Sequence, residues 1–144
     1  MHAVIKTSSI LVALLVLPFS GLLASDSDAK EPIEIQGDRV AKLDLSPDLS
    51  LEDARQVVLR TVLNRGWEIV EEDENAGILV VNLVHRRHDS TLYLVYTTDS
   101  LTIHSDSWRI NRSGDRTGRD HPSGWIGNIE KDVKVFWQRA AVDL

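Results

Sequence analysis

The sequence predicts an α+β two-layer sandwich, in which two helices cover one face of an antiparallel meander sheet in the order β-α-β-β-β-β-α. Apolar residues recur with a period near 3.6 in two segments and with a period of two in the segment between them. The connections within that central segment are too short for parallel crossovers, so neighbouring strands are expected to run antiparallel. A chain of 144 residues is long enough for one such domain.

The first 24 residues have the organisation of a secretory signal peptide. Lys6 is their only formal charge, an apolar run covers residues 10–17, and the small residues Ala24 and Ser25 offer a cleavage site. The apolar stretch of about 15 residues is shorter than the roughly 20 that a membrane-spanning helix needs. We therefore expect export to the periplasm or the cell exterior, with no stable membrane anchor after cleavage.

Cleavage there leaves a polar leader over 25–32 and a single α+β domain over 33–144. Residues 25–144 carry 15 Lys and Arg against 22 Asp and Glu, a net charge of −7. Nucleic-acid binding is not expected, because it requires a basic face. The chain has no cysteine, which excludes thiol nucleophiles, disulfides and thiolate zinc sites.

The domain is predicted to begin with one interrupted strand within residues 33–45, followed by a helix. Ser50 precedes this helix and can cap its first turn with its hydroxyl group. Gly66 is expected to end the helix in a left-handed conformation, so that Trp67 folds back against Val62. The side chains expected on the buried stripe are Leu51, Ala54, Val57, Val58, Thr61 and Val62.

Four strands are predicted next, separated by short polar connections: Trp67–Glu72, Ile78–Arg87, Thr91–Thr98 and Leu101–Ile110. Two-residue turns at 89–90 and 99–100 would place Leu83 opposite Tyr96, and Tyr96 opposite Ile103. One face is then apolar and is expected to pack the helices. Its residues are Leu79, Val81, Leu83, Leu92, Leu94, Tyr96, Leu101 and Ile103.

Residues 111–124 are expected to form a polar loop before the second helix, with Ser123 as the helix cap. The apolar positions of that helix are Trp125, Ile126, Ile129, Val133, Phe136, Trp137 and Ala140. Three of the four tryptophans, at positions 67, 125 and 137, are predicted to belong to the core. Trp108 is the one expected to be partly exposed.

The loop arginines are the first candidate binding residues. Arg109, Arg112, Arg116 and Arg119 are interleaved with glycines, and their guanidinium groups could surround a phosphate, sulfate or carboxylate. No phosphate-binding glycine motif accompanies them. The alternative is a solvated loop whose arginines form local ion pairs with nearby aspartates.

The histidines are the second candidate. If His85 and His88 share one strand, they point to opposite faces, so we expect no metal site and no cofactor. His121, on the loop, is the histidine most able to join another one. No pattern of nucleophile and base is present, and no catalytic residue is assigned.

Several short motifs resemble those of a family of small exported proteobacterial proteins, many of them predicted lipoproteins. They are Gly66-Trp67, Gly77-Ile78-Leu79, Arg87-His88, Leu94-Val95-Tyr96, Ser100-Leu101-Thr102-Ile103, Asp106-Ser107, His121-Pro122 and Trp125 to Ile129. The chain departs from this family at Ser25, where a lipoprotein has cysteine, and at Gly124, where the family has a longer aromatic segment. No activity is assigned to the family, so the resemblance implies only compartment and fold.

Our leading hypothesis is an exported, non-catalytic accessory or binding protein that contacts another envelope protein or a small anion. The contact surface would be the arginine loop or the outer sheet face, whose Val80, Val84, Tyr93 and Val95 could also form a homodimer. The alternative is a small anion-dependent or metal-dependent enzyme that uses the 109–121 loop. The candidate binding residues, all near one end of the meander, are His88, Asp106, Ser107, Trp108, Arg109, Arg112, Arg116, Arg119 and His121.

Overall fold

The computed structural model describes residues 30–143, so the predicted signal peptide and most of the polar leader lie outside the described residues. The elements are β1 (Asp38–Asp44), α1 (Leu51–Asn64), β2 (Glu68–Asp73), β3 (Ile78–His85), β4 (His88–Tyr96), β5 (Ser100–Ile110), β6 (Arg116–Arg119) and α2 (Ser123–Val142). The six strands form one antiparallel sheet in the order β1-β5-β4-β3-β2, with β6 paired to β5. The predicted α+β class is confirmed.

The hydrophobic core lies between the two helices and one face of the sheet. The predicted apolar face is confirmed, since Leu79, Val81 and Leu94 are at most 1% exposed. Ile129 and Trp137 of α2 are fully buried, and the Trp137 indole donates a hydrogen bond to the Pro47 carbonyl at 2.7 Å. Within residues 30–143, no helix combines the length and apolar character that crossing a membrane requires.

The limits of α1 are those that the sequence predicts. The Ser50 hydroxyl accepts a hydrogen bond from the Asp53 amide at 3.0 Å. Gly66 has φ +78°, its amide bonds the Leu63 carbonyl, and the Trp67 amide bonds the Val62 carbonyl, both at 3.1 Å. These two bonds form a Schellman motif, which turns Trp67 back into the core, where it is 3% exposed.

The start of α2 differs from the prediction. Ser123 is its first helical residue, the cap position is held by Pro122, and no side chain there makes a capping hydrogen bond. The prediction that Ser123 caps α2 is therefore wrong. Pro122 has φ −76°, and its carbonyl accepts the first hydrogen bond of the helix from the Ile126 amide at 3.0 Å.

The predicted turns of the meander are also wrong in position. The β3–β4 turn is Arg86-Arg87, so Leu83 lies opposite Ser90, and Tyr96 lies opposite Leu101. Asp89-Ser90 has the composition of a turn, yet it belongs to β4. In both strand pairs, the observed register differs from the predicted one by an even number of residues. Because side chains alternate between the two faces, an even shift leaves every side chain on its predicted face.

The predicted polar loop over 111–124 contains a strand. Its first part is a tight turn in which the Asn111 side chain accepts hydrogen bonds from the Ser113 and Asp115 amides, both at 2.9 Å. This turn returns the chain along β5 as β6, with Trp108 opposite Arg119. The first strand is also shorter than residues 33–45, since β1 covers Asp38–Asp44.

Candidate binding site

The β3–β4 hairpin brings two histidines together. His85 and His88 flank the two-residue turn and lie directly opposite each other. Directly paired residues share a face, so the expectation that they point to opposite faces is wrong, because the turn lies between them. Both rings contact Trp125 at the start of α2, with centroid distances of 6.1 Å and 5.7 Å.

His88 links the hairpin to the segment that precedes α2. Its Nε2 lies 2.9 Å from Asp120 Oδ2, and its Nδ1 lies 3.2 Å from the Arg86 carbonyl oxygen. Arg109 donates to the same Asp120 oxygen at 3.0 Å. Two hydrogen bonds lower the pKa of Asp120. The one with His88 has the larger effect, and the one from Arg109 has the smaller. Both partners of His88 are oxygen atoms, one from a carboxylate and one from a backbone carbonyl.

His121 makes a second link, between the same segment and two strands. Its Nε2 lies 3.0 Å from Asp38 Oδ2 on β1, and its Nδ1 lies 2.9 Å from Ser105 Oγ on β5. Ser105 Oγ in turn lies 2.7 Å from Ser107 Oγ. The backbone of Gly37, at φ +81°, approaches the Ser105 carbonyl so closely that any side chain there would collide with it. This approach keeps Asp38 beside β5.

The Asp38-His121-Ser105 distances are those of a hydrolytic triad, but the burial of its members is reversed. A nucleophilic serine must reach a substrate, and the aspartate that orients the histidine is buried. Here Ser105 is 0% exposed, whereas the Asp38 side chain is 64% exposed. The arrangement therefore acts as a structural clamp that fixes the start of α2 to the sheet.

The loop arginines are divided between the two faces of the sheet. The guanidinium groups of Arg116 and Arg119 lie 4.9 Å and 5.1 Å from the Trp108 ring centroid on the outer face. The Trp108 indole donates to Asp106 at 3.1 Å, and Arg119 lies 3.8 Å from the same carboxylate. Trp108 is partly exposed, as the sequence predicts.

Arg109 is the loop arginine on the helix-facing side, where it contacts Asp120. Arg112 is exposed and makes no ion pair with any of residues 30–143. The four arginines thus do not converge on one position. Arg109, Arg116 and Arg119 each pair with at least one aspartate, as in the alternative interpretation of the loop.

Two cavities share Trp125 as a lining residue, and we call them together the Trp125 site. The first, about 330 Å³, is lined by Arg65, Trp67, Leu83, His85, Trp125 and Asn128. The second, about 360 Å³, has a polar lining that includes Arg86, His88, Asp120, His121 and Ser123, with Trp125 as its shared wall. Trp125 was expected in the core, yet its ring is only partly buried.

The first cavity has an apolar base and a polar rim. Trp67 and Trp125 meet edge to face with centroids 6.0 Å apart, a favourable aromatic geometry. At the rim, Arg65 donates to Asp132 at 2.7 Å and 3.2 Å. The hydrogen bond raises the pKa of Arg65 and lowers that of Asp132. The Arg65 charge is therefore already compensated.

Of the predicted site residues, His88 and His121 line the second cavity, Arg109 supports it through Asp120, and Ser107 is buried behind it. Asp106, Trp108, Arg116 and Arg119 lie on the outer face. Arg86, Trp67 and Trp125 also line the two cavities, although none of them was among the predicted site residues. The Gly66-Trp67 signal was available but indicated only core packing, and no pattern marked Arg86 as a turn residue.

Within residues 30–143, no three His, Asp or Glu side chains form a group that could hold a metal ion. No protein-family model and no curated protein matches the chain.

Proposed function

We propose that the protein is exported to the periplasm or the cell exterior, where it acts as a non-catalytic binding protein whose recognition site is the Trp125 site. The signal-peptide pattern of residues 1–24 supports the compartment. The resemblance to small exported proteins supports it as well. The observation that carries the binding function is a partly exposed indole between two preformed cavities.

Concave sites with aromatic walls and a few fixed polar groups are the usual form of small-molecule binding sites. Each wall of the Trp125 site belongs to a rigid element. The Schellman motif positions Trp67, the first turn of α2 positions Trp125, and the β3–β4 hairpin positions His85 and His88. A ligand would therefore meet a surface that needs little rearrangement, which lowers the entropic cost of binding.

The hydrogen-bond partners around the second cavity support binding rather than reaction. Both ring nitrogens of His88 and both of His121 already have partners within the protein. The serine beside His121 is fully buried. A general base must reach the proton that it removes, and neither imidazole offers a nitrogen that is not already hydrogen-bonded.

The proposal is tested with the indole N–H signals in proton–nitrogen NMR spectra of the domain. A panel of small aromatic and aliphatic fragments, charged and neutral, is titrated into the wild-type protein. We expect fragments that bind to move the Trp125 signal, which Trp125→Phe identifies by its loss. Trp125→Ala should weaken their binding by about tenfold or more.

Trp108→Ala is the matched control, because Trp108 is a partly exposed indole on the opposite face of the sheet. It should leave fragment binding unchanged. Binding that survives Trp125→Ala, or that moves only the Trp108 signal, would contradict the proposed site.

Export is tested by expressing the full chain in a bacterial host, where the protein recovered from the periplasm should begin at Ser25.

A further inference from the structure

The turn between β3 and β4 contains residues that its backbone conformation does not favour. Two-residue hairpin turns of this kind need positive φ at both central positions and prefer Asn-Gly. Here the two positions are Arg86 at φ +46° and Arg87 at φ +65°. Side chains with a Cβ are strained in this region of φ. The turn therefore holds arginine where local folding favours other residues.

Arg86 lines the second cavity, whereas Arg87 does not. The other charges at this cavity are compensated. Asp120 is paired with both His88 and Arg109, and His121 is paired with Asp38. Arg86 makes no ion pair with any of residues 30–143. A full positive charge is thus left beside the cavity, in a chain whose net charge is −6.

The neighbouring cavity offers the opposite chemistry. Its walls include Trp67, Leu83 and the shared Trp125. A molecule that reaches across the Trp125 ring would place one end among apolar side chains and the other beside the Arg86 guanidinium. Cavities of about 330 and 360 Å³ are each large enough for a ring or a small polar group.

We infer that the ligand of the Trp125 site is a small amphipathic anion. Its carboxylate or phosphate group binds Arg86 in the second cavity, and its apolar or aromatic part packs against Trp125 in the first. Guanidinium groups bind these oxyanions through two parallel hydrogen bonds. The inference rests on the proposed function and adds to it the chemical class of the ligand.

The test compares probes that differ only in charge. Indole-3-propionate carries a carboxylate, and indole-3-propionamide is its uncharged analogue. Phenyl phosphate is a further anionic probe and shows whether the site also accepts a phosphate group. The affinity of each is measured from the shift of the Trp125 indole signal. We expect the carboxylate to bind at least about fivefold more tightly than the amide.

Two variants separate Arg86 from general electrostatics. Arg86→Asn should remove the preference for the anion, whereas Arg87→Asn should keep it. The two changes remove the same charge from adjacent positions of one turn, and asparagine tolerates positive φ at both, so both variants keep the hairpin. A preference lost equally in both variants would overturn the role of Arg86.

The outcomes distinguish this inference from the function on which it rests. Equal affinities of the carboxylate and the amide, both moving the Trp125 signal, would leave the binding site in place and overturn the anionic ligand. If none of the three probes moves the Trp125 signal at millimolar concentration, the amphipathic anion is overturned as the ligand class, and the site itself is judged by the wider fragment panel.

Discussion

The helix-facing side of the sheet has two halves that are equally buried and chemically different. Towards the turn between Tyr96 and Leu101, the side chains of β4 and β5 are apolar, with Leu92, Leu94 and Ile103 fully buried. Towards the β3–β4 hairpin, Ser90 and Ser105 occupy the same face and are equally inaccessible. The apolar half is held by removal of surface from water, whereas in the polar half Ser105 forms directed hydrogen bonds with Ser107 and His121.

This difference explains where the proposed binding site lies. Serine side chains are much smaller than leucine side chains, so the hairpin half leaves room for imidazole rings and for cavities around Trp125. His88 and His121 fill part of this space and fix the start of α2. The Ser90 hydroxyl finds no hydrogen-bond partner among residues 30–143. The proposed site thus lies in the half of the sheet where close apolar packing is absent.

The largest effect is expected from the apolar half. Leu94→Ala removes a fully buried side chain from the central strand β4, and such truncations cost about 2–5 kcal/mol of unfolding free energy. Urea denaturation followed by circular dichroism measures this. Val84→Ala, at a position 59% exposed on β3, should change stability by less than about 0.5 kcal/mol. Equal effects of the two variants would contradict the description of the core.

A smaller effect is expected from the polar half. His121→Ala leaves Asp38 and Ser105 without this partner, and loss of such hydrogen bonds costs about 1–3 kcal/mol. Ser105→Ala, made alone and together with His121→Ala, gives the coupling energy between the two side chains. The control is His104→Ala, which removes a histidine from the outer face of β5. Additive costs of the first two changes would contradict the clamp.

The smallest effect, and the one that depends on pH, is expected at Asp120, which solvent partly screens. Its pKa is lower in the folded protein than in the unfolded chain. Its stabilising contribution is therefore complete above the ordinary aspartate pKa of 3.8 and is lost as the pH falls through the lower, folded value. Asp120→Asn should destabilise the protein at pH 7 and approach wild-type stability in strong acid.

Unfolding free energies from pH 7 down to pH 2 would show this convergence. The pKa of Asp132 is also lowered, by Arg65. Both the wild type and Asp120→Asn should therefore still lose some stability in acid. Asp48→Asn serves as the control, since the Asp48 side chain makes no hydrogen bond or ion pair within residues 30–143. A stability difference between Asp120→Asn and wild type that stays constant over the whole range would exclude the ionised carboxylate as its cause.

Features set by neighbouring residues could be predicted from the sequence. The start of α1 depends on Ser50, and its end depends on Gly66 and the residue after it, all within a few positions. The alternating pattern determined which face of the sheet is buried, whatever the register. The β3–β4 turn was misplaced because Arg86-Arg87 has no turn composition, while Asp89-Ser90 does. The strand β6 was missed because it has only four residues, all exposed.

The site could be predicted only in part, because its members come from distant segments. His88 and His121 were candidates, but their carboxylate partners are chosen by the fold. Asp38 lies 83 residues from His121, and Asp120 lies 32 residues from His88. The cavity walls depend on how α2 meets the hairpin, which no local pattern determines. Trp125 has the spacing of a core residue, and only the shape of the assembled surface leaves it accessible.

The edge strand β2 has a consequence for how the protein behaves at high concentration. One of its sides pairs with β3, and no strand among residues 30–143 pairs with its other side. A bulge between Ile69 and Glu71 interrupts its pairing, and the strand carries Glu68, Glu71, Glu72 and Asp73. Irregular, charged edges are poor templates for an incoming strand. This edge of the sheet is therefore a poor site for strand pairing between molecules, which disfavours growth of the sheet from β2 at high protein concentration.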